Sequence, residues 1–416
     1  MPSPLIIVIL LFISVLVYCK IGAYYTPYHR KQLSMNKKIV AITSSRADYS
    51  HLYWPLKLLE QDKSIDLTIL CFGPHLSPEY GETWRQIQRD GFTQVKMLEC
   101  LLSSDTDVGM AKSLGLAILG ITDILAELRP DLMLIIADRY EMLAAANVAL
   151  TLRIPIAHIE GGDVSEGAID DAVRNALTKM SHVHFTPTSK ARQRVLAMGE
   201  EQWRVHLSGA PSLDHLRRSE IPDRNKINAQ FNVDEDKKLL VVAYHPVTMY
   251  QDSVKEQHEL FNALSTRSEN IIFCFPNADT GSHKIMQKAQ DFCLQHANAQ
   301  IHTNLPAQTY WGLLKQADLM LGNSSSGIME TASLKLPSIN IGIRQQGREQ
   351  AANIVDVKPD SKLIIAAIER ALSPEFKDLL IELINPYGDG FAAEKIVTVL
   401  SGLQINDKLL FKKNIL

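Results

Sequence analysis

Short runs of uninterrupted apolar residues recur along this chain, each followed by a longer amphipathic stretch, and that rhythm fixes the fold class. Residues 39–43, 66–72, 132–137, 154–159 and 183–186 form one series; 239–244, 271–275, 319–321 and 338–341 form a second. A strand that is apolar at every position must be covered on both faces, as strands inside parallel sheets are. The stretches between them have helical spacing. In 107–127, Val108, Ala111, Leu114, Ala117, Ile118 and Ile121 share a face, and Pro130 closes the connection. Strands alternating with helices imply parallel sheets with right-handed crossovers. A polar, strand-poor stretch at 216–238 separates the two series. The expected architecture is α/β: two doubly wound domains facing each other, 35–210 and 211–385, followed by a helical segment at 386–416.

Composition narrows the function. A length of 416 residues suits two domains, and a formal charge of −3 leaves neither a basic footprint for nucleic acid nor an acidic tail. The five cysteines, at 19, 71, 100, 274 and 293, are scattered and never in a CxxC spacing. They read as reduced thiols, with Cys71 and Cys274 acting as small hydrophobes, so a disulfide framework or structural zinc is not expected. The run "LIIVILLFISVLVYC" at 5–19 is apolar throughout and is followed by Lys20, His29, Arg30 and Lys31. Two readings of residues 1–34 stand side by side. One is a membrane anchor through residues 5–25; the other is an apolar extension ahead of a fold that begins at Met35. The basic residues after the run leave the folded part in the cytoplasm on either reading, anchored to the inner face of the membrane on the first.

Ligands of open parallel sheets bind beyond the carboxyl ends of the strands, so the residues after each strand carry the functional signal. The first series leads into "SSRADYS", "DRYE" and "EGGDVSEGAIDD"; the second leads into "HPVT", "PNADTG", "GNSSSGIME" and "GIRQQGRE". Charged, hydroxyl and glycine residues thus line one edge of both domains, the pattern of an interdomain cleft for a large polar ligand. In "GNSSSGIMETA", small residues turn the chain into a helix start where Ser324 and Ser325 suit a diphosphate. Glu330, in the helix that follows, suits ribose hydroxyls. Arg46 and Arg344 are placed to neutralise phosphate, and His245 ends a strand opposite the serines. Asn277 offers hydrogen bonds to a nucleotide or sugar. No GxGxxG follows the first strand and no GxxxxGK[ST] occurs, which disfavours NAD(P) and a P-loop.

The stretch "HIEGGDVSEGAIDDAVRN" (158–175) gathers five carboxylates. A helix is expected over about 167–180, with Ile169, Val173, Leu177 and Met180 as its apolar face. Asp170 and Asp171 fall in its first turn, where the helix dipole favours negative charge, and Arg174 is spaced to pair with Asp170. Capping accounts for those three residues but not for Glu160. An acid at the end of a buried strand is desolvated and tuned, as an acid/base group must be. No metal-ligand spacing appears among these residues.

Taken together and in order, "SRADYS", "DRYE", "HIEGGDVSEGAIDDAVRNALTKMSH", "HPVT", "FPNAD", "GNSSSGIME" and "GIRQQGRE" resemble the hydrolysing UDP-N-acetylglucosamine 2-epimerases of sialic acid and related nonulosonic acid synthesis. The resemblance spans about 37–387. It implies a glycosyltransferase-B-like pair of Rossmann-like domains with the active site in the interdomain cleft. It also implies conversion of UDP-N-acetylglucosamine and water to N-acetylmannosamine and UDP, by elimination to a glycal and then hydration, with no metal or redox cofactor. Carried over residue by residue, it makes Glu160, Asp170 and Asp138 catalytic. Arg46, Arg139, Asp171, Arg174, His245, Asn277, Ser324, Ser325, Glu330 and Arg344 would bind the UDP-sugar. The expected assembly is a homo-oligomer, dimer or tetramer. Two departures stand out. Ala137 precedes Asp138 where relatives often have glycine, and Asn175 stands where members usually carry histidine. The second raises the alternative of a nucleotide-linked 2,4-diacetamido-trideoxyhexose as substrate, on the route to legionaminic acid. A non-hydrolysing 2-epimerase, which resembles this family in fold, is a further alternative, though "EGGDVSEGAIDD" and "GIRQQGRE" favour the hydrolysing branch.

Overall fold

The computed structural model describes residues 36–102, 104, 106–166, 169–245, 253–275 and 282–415. The membrane-anchor reading of residues 5–25 and the ligand role of Asn277 lie outside the described residues. Residues 37–416 form one compact unit.

Two all-parallel sheets organise that unit. The first contains β1 (Lys37–Thr43), β2 (Ile65–Phe72), β3 (Val95–Leu98), β4 (Leu132–Ile136), β5 (Ile156–Ile159), β6 (Val183–Thr186) and β7 (Val205–Leu207), in the order β3-β2-β1-β4-β5-β6-β7. The second contains β8 (Leu239–Ala243), β9 (Asn270–Phe275), β10 (Ala299–Thr303), β11 (Leu319–Gly322), β12 (Ser338–Ile341) and β13 (Ile354–Val357), in the order β10-β9-β8-β11-β12-β13. In both, the chain builds outward in one direction and then returns to the middle. A crevice therefore opens where the order reverses, between β1 and β4 and between β8 and β11. The two expected strand series are present, and each sheet is the centre of a doubly wound α/β domain.

The central strands β4, β8 and β9 are buried along their whole length, β1 from Ile39 onward and β2 apart from Asp66, as their apolar runs require. Layers of helix cover both faces. One face of the first sheet packs Leu52, Leu56 and Leu59 of helix Arg46–Gln61; the other packs Ala117, Ile121 and Leu125 of helix Asp107–Leu128. That second helix is long and apolar enough to cross a membrane; here one side of it packs into the core and against helix Met142–Thr151, while Leu116 and Leu119 on the other side are exposed. Its buried stripe is Gly109, Ser113, Ala117, Ile121 and Leu125, so Val108, expected on the apolar face, is exposed. The C-terminal helix Ala392–Gly402 returns to the first sheet, where Ala392, Ile396 and Leu400 join its core. Arg204 fastens the tail behind it, donating to the carbonyls of Lys408, Leu409 and Phe411. Cys71, Cys100 and Cys274 are buried free thiols, and burial pushes Cys274 up to about 12.

Candidate active site

The sequence-expected residues collect at the two reversal points. Ser44, Ser45 and Arg46 follow β1, Asp138 and Arg139 follow β4, His245 follows β8, and Asn323 and Ser324 follow β11. Helix Arg46–Gln61 is started by a capping box. Ser45 caps the Asp48 amide, and Asp48 accepts from the Ser44 and Ser45 amides at 2.8 and 3.0 Å. This cap fixes the direction of the helix and so places His51, one turn in, at the end of β5.

There His51 Nδ1 meets Glu160 Oε1 at 2.9 Å. Glu160 is buried, with φ +63°, in the left-handed region that side chains rarely adopt. Such conformations persist where the surroundings over-determine them, and they cluster at functional sites. Burial alone would push the Glu160 carboxyl up, but His51, by charge and hydrogen bond, and Arg348 hold it below its ordinary value. Burial opposes the charge on His51 in turn, and Glu160 outweighs it, raising the imidazole to about 9. At neutral pH the two form a carboxylate–imidazolium pair.

A second acid is equally buried. Asp163 lies 3.4 Å from Arg348, and its Oδ1 has no hydrogen-bond partner among the described residues. Burial pushes Asp163 up and Arg348 opposes the shift. Arg348 also donates to the Val164 carbonyl (3.1 Å) and Ser165 Oγ (3.3 Å). It comes from the loop between β12 and β13, so a guanidinium of one sheet's domain is anchored in the glycine turn of the other. The same joint contains Glu166 N–H to the Gln346 carbonyl at 3.4 Å, and Arg194 to the Gly347 carbonyl at 3.3 Å. Gly347 has φ +86°, and a Cβ there would lie 2.5 Å from Val164 Cγ1. Only glycine permits this approach.

The helix after the turn runs Asp170–Met180, with Asp170 and Asp171 in its first turn as expected; it begins three residues later than 167, and Ile169 is exposed. Arg174 is almost fully buried. It bonds Asp138, reaches Ser165 Oγ at 3.2 Å and lies 3.8 Å from Asp171. Burial and the nearby Arg348 both disfavour its charge and hold the guanidinium well below its ordinary value; Asp138 is its ion-pair partner. Asp171 accepts the Ser165 amide at 2.9 Å and the Asn175 side chain at 3.2 Å. Arg139 turns to Glu141 at 2.9 Å, and Arg46 donates across to the Leu305 carbonyl at 2.8 Å.

Across the cleft, Asn323 is the organiser that motif reading passed over. Its side chain accepts the His245 amide (2.7 Å) and donates to the His245 carbonyl (2.8 Å), while its own carbonyl receives Arg344 (3.0 Å) and Gln345 (2.8 Å). One asparagine thereby ties together the ends of β8 and β11 and the loop after β12. The helix expected at Ser324–Ser326 is a single turn, Ser326–Met329, followed by the 3₁₀ turn Thr331–Leu334. A helix dipole is therefore a minor contributor, and hydroxyls and loop amides dominate that wall. Glu330 is buried with Oε2 unpaired among the described residues, and its charge acts on both His51 and Arg348. The structure thus gathers Glu160, Asp138, Asp171 and Arg174 on one wall and His245, Ser324, Ser325, Arg344 and Glu330 on the other. It adds His51, Asp163, Arg348 and Asn323. Among the described residues no group of three or more His, Cys, Asp or Glu is placed to hold a metal ion.

Ala137, just before Asp138, has φ +57°. A non-glycine residue there costs about 1–2 kcal/mol. Ala137→Gly is expected to raise stability in urea by about 0.5–1 kcal/mol and to leave turnover within about twofold. A loss above about 1 kcal/mol would contradict the strain.

Two α/β domains with polar strand ends at their reversal points define a glycosyltransferase-B-like protein, here with a buried carboxylate–imidazole pair beside β5. The UDP-N-acetylglucosamine 2-epimerase family profile matches residues 57–401, and the chain belongs to that family. It is 36% identical over 91% of its length to the whole of a UDP-N,N′-diacetylbacillosamine 2-epimerase (hydrolyzing) of Legionella pneumophila. It is 31% identical to a UDP-N-acetylglucosamine 2-epimerase of Neisseria meningitidis, over 81% of this chain and 88% of that one. Among solved structures it is similar to UDP-GlcNAc 2-epimerase from Neisseria meningitidis bound to UDP-GlcNAc, with TM-score 0.75, 18% identity and coverage of 87% and 99%.

Proposed function

We propose that this protein is a hydrolysing 2-epimerase that takes UDP-N,N′-diacetylbacillosamine and water to UDP and the free 2-epimer of the sugar. The observation that carries the choice of substrate is the 36% identity to the Legionella enzyme, which is aligned over its whole length. A GDP/UDP-N,N′-diacetylbacillosamine 2-epimerase (hydrolyzing) of Campylobacter jejuni is also 36% identical, over 82% of this chain. Relatives named for N-acetylglucosamine or polysialic acid stand lower, two at 30–31% and others at 19–26%. This favours the diacetamido-sugar alternative over the N-acetylglucosamine reading of the motifs. Asn175 in place of the usual histidine, exposed and bonded to Asp171, fits the same choice.

The chemistry divides between the two walls. Ser324, Ser325, His245 and Arg344, with Arg46 and Arg139, receive the diphosphate, and Glu330 serves the nucleoside or sugar. Glu160, ionised beside His51, takes the proton from C2 as the C1–O bond breaks. The C–H electron pair becomes the C1=C2 bond of a glycal, and the diphosphate leaves with the C1–O pair. Asp138 and Asp170 serve the return step, in which water adds at C1 and a proton reaches C2 from the opposite face. Two sets of acids in different surroundings suit these opposed tasks.

Kinetics with both sugar nucleotides test the substrate. A kcat/KM at least about tenfold higher for UDP-N,N′-diacetylbacillosamine is expected, because a site built to hydrogen-bond a substrate group discriminates strongly against a substrate that lacks it. An equal or greater value for UDP-N-acetylglucosamine would return the assignment to the other branch.

A further inference from the structure

The acids and the anion cradle account for the polar residues at the strand ends, but not for an imidazole that the first helix delivers to a buried carboxylate. We propose that His51 is a positioning residue for Glu160: its Nδ1–H fixes Oε1 and leaves Oε2 as the oxygen that meets the sugar C2 proton. This rests on the epimerase reading above.

Three observations carry it. The first is geometry. His51 Nδ1 stands 2.9 Å from Oε1, and among the described residues Oε2 accepts no hydrogen bond, so the two oxygens are distinguished before substrate arrives. The second is the rigidity of the mount. The capping box at Ser45 and Asp48 sets the start of the helix, and Leu52, Leu56 and Leu59 bury its inner face. A histidine on this helix is held to within the tolerance that a proton transfer demands. The third is exposure. The His51 side chain is 24% accessible and Glu160 only 8%. The carboxylate is thus screened from water while its partner stays solvated enough to hold a charge. Without a cation, burial would favour the protonated acid, which cannot act as a base.

Other charged groups face this pair from every side. Asp48 lies on the same helix, His158 on β5, Asp163 and Arg348 at the joint, and Glu330 beyond β11; His215, on helix Asp214–Arg218, also feels the His51 charge. Arg348 supports Glu160 in the same direction as His51, but its ion pair and hydrogen bonds go to 163–165 and to the Met329 sulfur, none to Glu160. The bond that orients the Glu160 carboxylate is made by His51 alone among the described residues.

The test is a set of pH–rate profiles at saturating UDP-sugar on the full chain, for wild type, His51→Ala, His51→Asn and His51→Lys. Losing the cation raises the pKa of Glu160, and a base must be ionised, so the acid limb of kcat moves to higher pH. For His51→Ala a shift of at least about one pH unit is expected, with kcat down at least about tenfold and KM within about threefold. His51→Lys is expected to return the limb toward wild type. His51→Asn keeps a neutral donor and is expected to show the shift with a smaller loss of kcat; it also carries the test should His51→Ala fail to fold. An unmoved acid limb in both neutral variants, or a loss confined to KM, would overturn the proposal. Wild-type protein that releases no UDP from either sugar nucleotide would instead overturn the epimerase reading, so the two failures are distinguishable.

Discussion

Glu160→Gln is expected to lower kcat by at least about a thousandfold while UDP binding stays within about threefold of wild type. The substitution keeps the shape and the hydrogen bond to His51 but removes the one function the site is built to provide, an ionised oxygen in a place that disfavours ions. On the proposed reading the diphosphate is received by Ser324, Ser325, His245 and Arg344, with Arg46 and Arg139, none of which the substitution changes. Turnover within tenfold of wild type would show that another acid takes the C2 proton, and Asp170→Asn and Asp138→Asn would then be compared on the same footing. Isothermal titration with UDP and a discontinuous assay of UDP release provide both numbers.

Arg348→Met is the second large effect. The methionine preserves bulk but leaves Asp163 buried without its cation, and it removes the donors to Val164 and Ser165. Breaking one side of a buried pair typically costs about 3–5 kcal/mol. A loss of about 3 kcal/mol in urea unfolding is expected, together with reduced turnover, because the same turn carries Glu160. Adding Asp163→Asn should recover part of the stability, since the orphaned charge is gone, and little of the activity. A stability loss below about 1 kcal/mol would mean that the joint between the domains is made elsewhere.

The architecture was legible from apolar rhythm except at its margins, and the margins share a physical cause. The strands that pattern reading passes over, Val95–Leu98, Val205–Leu207, Ala299–Thr303 and Ile354–Val357, are the four edges of the two sheets. Edge strands are half-exposed, so their sequences need not be apolar at every position, and Lys96 or Asp356 is tolerated there. The site was legible as a set of strand ends. What did not show were the residues acting across elements. His51 sits one position beyond "SRADYS", and Arg348 lies inside "GIRQQGRE", where Arg344 was the obvious phosphate ligand. Asp163 resembles a turn residue because the Gly161–Gly162 pair beside it signals a turn. Its burial comes from a loop almost two hundred residues away, which no local window contains.

Proton NMR of the complete reaction in deuterated water tests the central claim most directly. Elimination to a glycal followed by hydration must draw the new C2 hydrogen from solvent and release the sugar from its nucleotide. The account predicts one UDP per sugar consumed and a free 2-epimer that carries deuterium at C2. A 2-epimer still linked to UDP, or a free sugar that keeps its original C2 proton, would contradict it.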